Sequence, residues 1–512
     1  MATVVNAFAL SGVSAYPVAV ETVLLHGQPS ISIVGLGDTA VKEAAHRLQA
    51  ALTHSSYDFP KLKIVINLAP SGVKKSGSHF DLAMAIGLIS SGEVLLPPEE
   101  LAQTAFLGEL SLNAELKPVN GVLPMAMCAR DSGIRRLIVP VDNLAEARLV
   151  RELEVFGFGT LREVVDFLLG TLEYAPPDRS LEPAYSALPA VDFADVQGQE
   201  GLLEYVIAAV AGGHNFLMLG SPGCGKSMIA KRIPTIMPKL TEEEALEITK
   251  IYSVTGLLRQ QNRLITERPF RSPHHNASLN ALIGGGSPVV PGEISLAHNG
   301  VLFLDEIAEF ERKALDALRQ PLEDKVVTVS RVKSTSTFPA NFMLVAAMNP
   351  CPCGYHGQPK CRCTDYEVVK YRQKLSGPIL DRIDVQKYVQ PVPFLSLASA
   401  RKGPSSLELR ERVQYARDIQ TKRFVRSTEV SANAQMTEAM IKEFCQLEPD
   451  ALRLLQLSFE RFQYSARTHN KFLKIARTFA DLEGSPQIRK KDMAAALMAR
   501  DMDKEHTGMM VF

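Results

Sequence analysis

The chain has 512 residues, of which 46% are apolar and 22% are charged, a composition typical of globular proteins that excludes a largely disordered or fibrous chain. Basic and acidic residues number 56 each, so any surface for a polyanion must be local rather than a property of the whole chain. No apolar run approaches the ~20 residues that cross a bilayer, and the first residues carry no basic segment before their apolar ones, so we expect a cytoplasmic protein without a membrane partner.

The first 172 residues alternate short β-rich runs with helical periods. Residues 30–34 and 63–67 have the composition of strands, and residues 39–52 have the period of an amphipathic helix. At about 150 residues per domain the chain should hold three units. We therefore expect residues 1–172 to form an α/β domain with its own core.

Two segments of this first domain form a recognisable pattern. They are residues 108–121, GELSLNAELKPVNG, and residues 129–140. Together they resemble the proteolytic domain of Lon-type proteases, and this resemblance implies a ribosomal-S5-like fold.

A Lon-type protease needs a serine nucleophile and a lysine that takes its proton. At the nucleophile position this chain has His79, with Ser78 one residue away, and residues 122–125 supply no lysine. Lys74 and Lys75 would serve only if their loop were rebuilt. We therefore expect a non-proteolytic domain that serves assembly or holds a ligand.

Residues 173–190 are rich in Pro, Ser and charge and have no periodicity, which predicts a linker. A second domain, residues 191–400, follows with an apolar helix at 202–211. Its next feature is a buried strand at 216–219 followed by G-x-x-x-x-G-K-S, the pattern of a nucleotide phosphate loop. The eight residues of this phosphate loop are Gly220, Ser221, Pro222, Gly223, Cys224, Gly225, Lys226 and Ser227.

The physical basis of this pattern is that glycines let successive N–H groups point inward, at the N-terminus of a helix that favours anions. Lys226 is then placed to reach the β- and γ-phosphates of ATP, and Ser227 to ligate Mg²⁺. The alternative is an ordinary glycine-rich turn between a strand and a helix. The strand before the loop and the helix start after it favour the nucleotide site.

Residues 281–293 contain a run of three glycines, 284–286, and two prolines, which exclude a single helix and predict a loop or hairpin insert. The next strand ends in Asp305 and Glu306. Parallel strands deliver such carboxylates to the edge of the sheet where ligands bind, so we favour a catalytic pair over simple helix caps. A further buried strand, residues 343–348, ends at Asn349.

Between these strands, residues 326–338 are rich in β-branched side chains and predict a hairpin with Arg331 and Lys333 near its turn. Two cations at a turn are usually solvated. In a ring-shaped motor they would face the central pore and contact DNA.

Four cysteines follow Asn349 within a short turn-rich segment: Cys351, Cys353, Cys361 and Cys363. Four thiolates suit a tetrahedral structural Zn²⁺. The C-x-C spacing is less common than C-x-x-C, and free thiols or a redox pair remain the alternative.

The remaining residues, 401–512, have helical periodicity, and Gly403-Pro404 marks the boundary. Residues 401–500 contain 19 Lys and Arg against 12 Asp and Glu, so the basic charge of the chain is concentrated here. A solvated helix surface explains part of this excess, and a nearby polyanion would explain the rest.

In this order, the phosphate loop, the carboxylate pair, Asn349, the four cysteines and the segment 380–382 resemble the magnesium-chelatase-like branch of AAA+ ATPases. Segments 272–275, 291–295 and 349–354 carry the similarity to its YifB/ComM group, in which a Lon-like domain precedes the ATPase. The resemblance implies an AAA+ parallel-sheet core with a helix-2 insert and a pre-sensor hairpin, a helical C-terminal lid, and a homo-hexameric ring. ComM members of the group are linked to DNA branch migration in natural transformation.

The resemblance also implies roles for individual residues. Lys226 and Ser227 bind the phosphates and Mg²⁺, Asp305 holds Mg²⁺, Glu306 polarises the attacking water, and Asn349 is the first sensor.

Two arginines complete the implied site. Arg382 is the arginine finger that a neighbouring subunit supplies, and Arg467 is the second sensor, with Arg477 as its competitor. Each has an alternative as a surface or helix-capping arginine.

Three functions are therefore open. A DNA motor would bind single-stranded or branched DNA and cooperate with recombination proteins. A chelatase-type motor would remodel a protein or metal-insertion partner without DNA. A Lon-like protease, which we expect least, would depend on Ser78.

Overall fold

A computed structural model describes residues 2–92, 94–175, 191–260, 264–286, 289–331, 334–392, 403–427, 430–462 and 464–502. Most of the predicted linker lies outside these residues, as does the expected junction around residue 400, so the domain boundaries remain predictions. In the part of the chain that the structure describes, no helix is long and apolar enough to cross a membrane.

The N-terminal unit is built on a mixed seven-stranded sheet. The strands of this unit are β1 (Thr3–Ser11), β2 (Ser14–Leu25), β3 (Ser30–Val34), β4 (Lys63–Ala69), β5 (Thr104–Phe106), β6 (Glu109–Leu110), β7 (Leu116–Lys117), β8 (Arg136–Pro140) and β9 (Glu154–Phe158). The short strands β6 and β7 lie outside the seven-stranded sheet. The sheet order is β3-β4-β2-β1-β5-β8-β9, and β6 pairs with β7. The strands predicted at 30–34 and 63–67 are confirmed.

Helices cover this sheet: α1 (Thr39–His54), α2 (Asp81–Ser91), α3 (Pro98–Gln103), α4 (Val122–Asp131), α5 (Leu144–Ala147) and α6 (Leu161–Leu168). The predicted helix at 39–52 is α1, which begins where the Asp38 side chain accepts from the Val41 amide. Helix α2 is buried from Asp81 to Ile89 and forms the centre of the N-terminal core.

The second sheet is the predicted parallel core. The strands of this part of the chain are β10 (Phe216–Leu219), β11 (Phe270–Arg271), β12 (Gly284–Gly285), β13 (Val290–Pro291), β14 (Val301–Leu304), β15 (Val326–Arg331), β16 (Ser334–Pro339), β17 (Met343–Met348) and β18 (Val385–Tyr388). Five of them form a parallel sheet in the order β11-β14-β17-β10-β18. Strands β10, β14 and β17 are buried at every position because hydrophobic clusters cover both faces.

The helices of this region are α7 (Glu200–Gly212), α8 (Lys226–Ile236), α9 (Glu242–Val254), α10 (Leu279–Ile283), α11 (Glu293–Leu296), α12 (Arg312–Ala317), α13 (Arg319–Asp324), α14 (Asp365–Arg372) and α15 (Gly377–Leu380). The glycine-rich insert is broken as predicted: Gly284 has φ +100°, and β12 pairs antiparallel with β13. The predicted hairpin is also confirmed, with pairs running from Val326↔Pro339 to Arg331↔Ser334.

The C-terminal unit is helical, as expected, with α16 (Ser406–Arg423), α17 (Glu438–Phe444), α18 (Pro449–Phe462), α19 (Ala466–Leu482) and α20 (Lys490–Leu497). Its apolar side chains join the cluster that covers one face of the parallel sheet. A polar link also ties it to the core, because Asp384 lies 3.4 Å from His214 Nδ1 and 3.7 Å from Lys471 Nζ.

Among the described residues, the N-terminal unit packs against the parallel-sheet unit through helix α4 and through the turn between β1 and β2. Helix α4 contacts α9, where Gly121 N donates to Ser253 O at 3.0 Å and Ser253 Oγ donates to Glu146 at 2.5 Å. The turn between β1 and β2 contacts the β15–β16 hairpin, since Val13 packs on the cluster that contains Phe338.

Candidate functional site

The phosphate loop joins β10 to α8 at the carboxyl edge of the parallel sheet. Its backbone takes left-handed conformations at Gly223 (φ +81°) and Gly225 (φ +95°), which curl the chain tightly before the helix. Gly220 is required for space, because a Cβ there would lie 2.7 Å from both Cys224 Sγ and Val389 O. The loop thus has the backbone shape that its sequence predicts.

Lys226 is buried beneath this loop. Its Nζ donates to Gly220 O at 2.6 Å, to Ser221 O at 3.1 Å and to Asn349 Oδ1 at 3.2 Å. All three acceptors are neutral, and hydrogen bonds to an ionised oxygen are roughly twice as strong as neutral ones. An anionic phosphate oxygen can therefore compete successfully for the ammonium group.

Ser227 begins the same helix and donates from Oγ to Asp305 Oδ2 at 2.7 Å. The hydroxyl and the carboxylate are both hard oxygen ligands of the kind that Mg²⁺ prefers in phosphate sites. These donors therefore fit the Mg²⁺ that a nucleotide would carry, and the structure brings them together from β14 and α8.

The sheet order explains why Asn349 joins this group. Strand β17 lies between β10 and β14, and Leu219 pairs with Met348. The next residues, Gly220 and Asn349, are therefore neighbours at the end of their strands. The predicted sensor reaches the predicted phosphate lysine because two parallel strands end in register.

Glu306 projects beside this cluster in an unusual conformation. Its φ is +49°, a left-handed value that is uncommon for a residue with a side chain, and its amide donates to Asp305 Oδ1 at 3.0 Å. The carboxylate is 51% exposed and lies 3.9 Å from His275 Nδ1. Backbone outliers of this kind concentrate at functional sites.

Sequence reasoning assigned no role to His275, although it lies in a segment that carried the family resemblance. It follows β11, which is the sheet neighbour of β14, and its ring lies between those of His274 (centroids 4.1 Å apart) and Phe310 (6.5 Å). The sequence feature that could have indicated a role for His275 was the pair of adjacent histidines just beyond a short strand of the same sheet.

Arg382 is not brought to the phosphate loop of its own chain. It precedes β18, whose first residue Val385 pairs with Phe216 at the start of β10, whereas the phosphate loop follows the end of β10. Arg382 therefore lies at the edge formed by the amino ends of the parallel strands, opposite the carboxyl edge that carries the phosphate loop. There its guanidinium pairs with Glu323 at 2.5 Å and donates to Pro378 O at 2.6 Å.

Arg467 lies at the same edge as Arg382. It is exposed in the first turn of α19, and Lys471, one turn later, donates to the backbone oxygens of Asp381 and Ile383. Residues four apart share one face of a helix, so Arg467 lies near the segment that carries Arg382.

The competing arginine, Arg477, is buried inside the C-terminal unit. Its Nε donates to Asp481 at 3.0 Å, and its remaining nitrogens donate to the backbone oxygens of Ser485 and Pro486. These bonds engage all three guanidinium nitrogens and make Arg477 a structural group.

The structure describes only part of the two residues that were predicted to contact DNA. Arg331 ends β15, but its side chain and the whole of Lys333 lie outside the described residues. Their predicted contact with DNA remains a prediction.

The four cysteines converge. Each Sγ lies within 4.8 Å of the others, and all four thiols are free. The sequence-predicted ligand set is therefore assembled in space.

In the N-terminal unit, Ser78 and Lys75 form hydrogen bonds with different partners and not with each other. Ser78 Oγ donates to Glu109, and the buried Lys75 donates to Pro70 O. Burial lowers the pKa of His79 to about 4, so its imidazole is neutral near pH 7. In the described part of this unit, no hydrogen bond joins a serine hydroxyl to a lysine ammonium group, as a Lon-type protease would need.

Three family profiles match the chain. "Subunit ChlI of Mg-chelatase" covers residues 20–143, "Magnesium chelatase, subunit ChlI" covers 192–397, and "Magnesium chelatase, subunit ChlI C-terminal" covers 403–500.

Similar proteins extend along almost the whole chain. Competence protein ComM of Haemophilus influenzae is 39% identical, and YifB of Escherichia coli, described as uncharacterized, is 40% identical; each match covers 98% of this chain and 97% of the relative. Lon protease 2 of Bacillus subtilis is 33% identical over 101 residues, or 20% of this chain and 18% of the relative. With matches of this extent and an AAA+-type site, the chain belongs to the YifB/ComM family of magnesium-chelatase-like AAA+ ATPases.

Proposed function

We propose that the protein is an ATP-driven motor that assembles as a homo-hexameric ring and drives branch migration of DNA, in natural transformation or recombination. The observation that carries this proposal is the division of one site between two edges of the sheet. Lys226, Ser227, Asp305, Glu306 and Asn349 lie at one edge. Arg382 and Arg467, which we assign as the arginine finger and the second sensor, lie at the other.

The residues at the first edge have complementary tasks. Lys226 exchanges its neutral acceptors for phosphate oxygens, and Ser227 and Asp305 supply oxygen ligands to Mg²⁺. Glu306 accepts a proton from the attacking water, which Asn349 orients. The bound Mg-nucleotide supplies the phosphoryl group that is transferred to water. His275 orients the Glu306 carboxylate from the neighbouring strand.

The residues at the opposite edge act on a neighbouring subunit. Arg382 must leave Glu323 to reach across an interface, where its planar charged fork neutralises charge that develops on the transferred phosphoryl group. Arg467 approaches from the same side. A site that needs two copies of the chain makes hydrolysis sensitive to subunit geometry, and closed symmetry favours a ring.

Three observations favour DNA as the substrate. One relative is named a competence protein, the basic excess of the chain lies in residues 401–500, and the β15–β16 hairpin packs on the sheet whose strand β17 leads to Asn349. Cations at a hairpin turn around a channel can hold phosphates without reading sequence. The family profiles, which are named for a chelatase subunit, favour the second candidate, a motor that remodels a protein or metal-insertion partner without DNA.

The decisive experiment is three-stranded branch migration with the purified protein, compared with Glu306→Gln. A DNA motor converts the substrate with ATP and releases phosphate faster when DNA is present, and the variant does neither. Phosphate release without DNA stimulation or strand exchange would favour the chelatase-type motor. A protein that stays monomeric with Mg-nucleotide and DNA and releases no phosphate would refute both.

A further inference from the structure

The segment of residues 351–363, which we call the cysteine loop, has sulfur positions that match a tetrahedral metal site. Cys351 Sγ lies 3.4 Å from Cys353 Sγ and 3.9 Å from Cys361 Sγ, and the last two are 3.7 Å apart. Four sulfurs about 2.3 Å from a central zinc ion would lie about 3.8 Å from one another. A disulfide would need about 2.05 Å, so the spacing fits a shared ion and not an S–S bond.

The loop has little other structure to hold four thiols together. Its backbone bonds are turns: Gly354 N donates to Cys351 O, Gln358 N to Tyr355 O, and Cys361 N to Gln358 O. Neither a helix nor a strand lies within the loop. A metal ion that cross-links both C-x-C pairs would supply the missing folding free energy.

The same loop lies directly against the phosphate loop. Gln358 Nε2 donates to Ser221 Oγ at 3.1 Å. A Cβ on Gly354 would lie 2.7 Å from Pro222 Cδ, so the backbone of the cysteine loop approaches the Pro222 ring as closely as glycine permits. The cysteine loop also follows Asn349 by only one residue. It therefore connects the sensor strand to the loop that would hold the phosphates.

We propose that Cys351, Cys353, Cys361 and Cys363 bind one Zn²⁺, and that the metal-bound loop positions the phosphate loop through Gln358, so that nucleotide affinity depends on zinc. The metal has no part in the chemistry. It fixes a surface against which Ser221 and Pro222 rest, and Gln358 is a positioning residue. The second half of this inference rests on the proposed nucleotide site, whereas metal binding itself does not.

Metal content tests the first half. The purified full-length protein should contain one zinc per chain by elemental analysis, and Co²⁺ exchanged into it should show the visible absorption of a tetrathiolate site. The double variant Cys361→Ser/Cys363→Ser should lose the metal, while Cys128→Ser, a matched change at a thiol outside the loop, should keep it. A metal-free protein of normal stability, or zinc that survives the double variant, would overturn the assignment.

Gln358→Ala tests the second half without touching a ligand. This variant should keep its zinc but bind a fluorescent ATP analogue about three- to tenfold more weakly, the worth of one lost hydrogen bond, with KM raised and kcat little changed. Lys360→Ala, in the same loop, should bind normally. Removing zinc with a chelator should weaken binding at least as much, and Zn²⁺ but not Mg²⁺ should restore it.

The outcomes separate this inference from the proposed function. Unchanged nucleotide affinity in Gln358→Ala and in the chelated protein would refute the positioning role even if zinc is bound. A zinc-containing protein that binds no nucleotide at all would refute the proposed function and leave the metal site standing.

Discussion

Arg382 gives the sharpest test of a shared nucleotide site. Replacing it with Ala should lower ATP turnover about 10³-fold or more if it acts as an arginine finger, because such residues are worth about 10³–10⁵ in rate. In its own chain the guanidinium is paired with Glu323, 2.5 Å away. Lys226→Ala should abolish turnover as well, by removing the phosphate ligand at the other edge of the sheet.

The positions of Arg382 and Lys226 predict the ATP turnover of a mixture of the two variants. In its own chain Arg382 precedes β18 at the end of the sheet opposite the phosphate loop, where Glu323 and Pro378 O hold its guanidinium. If the arginine acts across an interface, a mixed ring contains sites with an intact lysine from one subunit and an intact arginine from the next. With random equimolar mixing, about one interface in four is intact in this way, so roughly a quarter of normal turnover should return.

The assay is phosphate release by each variant alone and by the two after subunit exchange, at constant total protein. Glu323→Gln is the matched control, because it removes the resting partner of Arg382 but leaves the arginine itself. That variant should hydrolyse ATP at least as fast as the unmodified protein. Two inactive variants that stay inactive when mixed, in rings shown to contain both, would refute an arginine that acts in trans.

Three further predictions follow from individual contacts. His275→Ala should lower kcat several-fold while nucleotide affinity, measured by fluorescence, is unchanged, because the described contact of His275 with the site is to Glu306 and not to the phosphate loop; weaker binding with normal kcat would contradict this role. Gly220→Ala should destabilise the protein by about 1–3 kcal/mol in denaturant melts and impair nucleotide binding, because the new Cβ would overlap Val389 O, and an unchanged melt would show that the loop can shift. Burial alone would raise the pKa of Asp384, but the imidazole of His214, 3.4 Å away, and the charge of Lys471 hold it well below its usual range. Its stabilising effect is therefore complete above the unfolded-state value near 4 and is lost as pH falls below it, so Asp384→Asn should cost about 2 kcal/mol at pH 7 and flatten the dependence of Tm on pH between 5 and 3.

The sequence by itself determined the features that depend on residues close together along the chain. The phosphate loop was predictable because its glycines, Lys226 and Ser227 fall within eight residues. The buried strands, the β15–β16 hairpin, the broken insert and the C-terminal helices were predictable from apolar period, β-branched runs and glycine or proline breaks. The cysteine ligand set was predictable for the same reason, since all four lie in one short loop.

Only the tertiary structure decided how distant segments meet. Asn349 reaches Lys226, 123 residues away, because β17 lies beside β10, and no period within a strand encodes the order of strands in a sheet. The same order places His275 beside Glu306 and leaves Arg382 at the far edge. Arg477 could not be told from Arg467 by sequence, because both are arginines on one helix. Burial against Asp481 makes the first structural, and exposure beside the segment of Arg382 leaves the second available for the proposed contact between subunits.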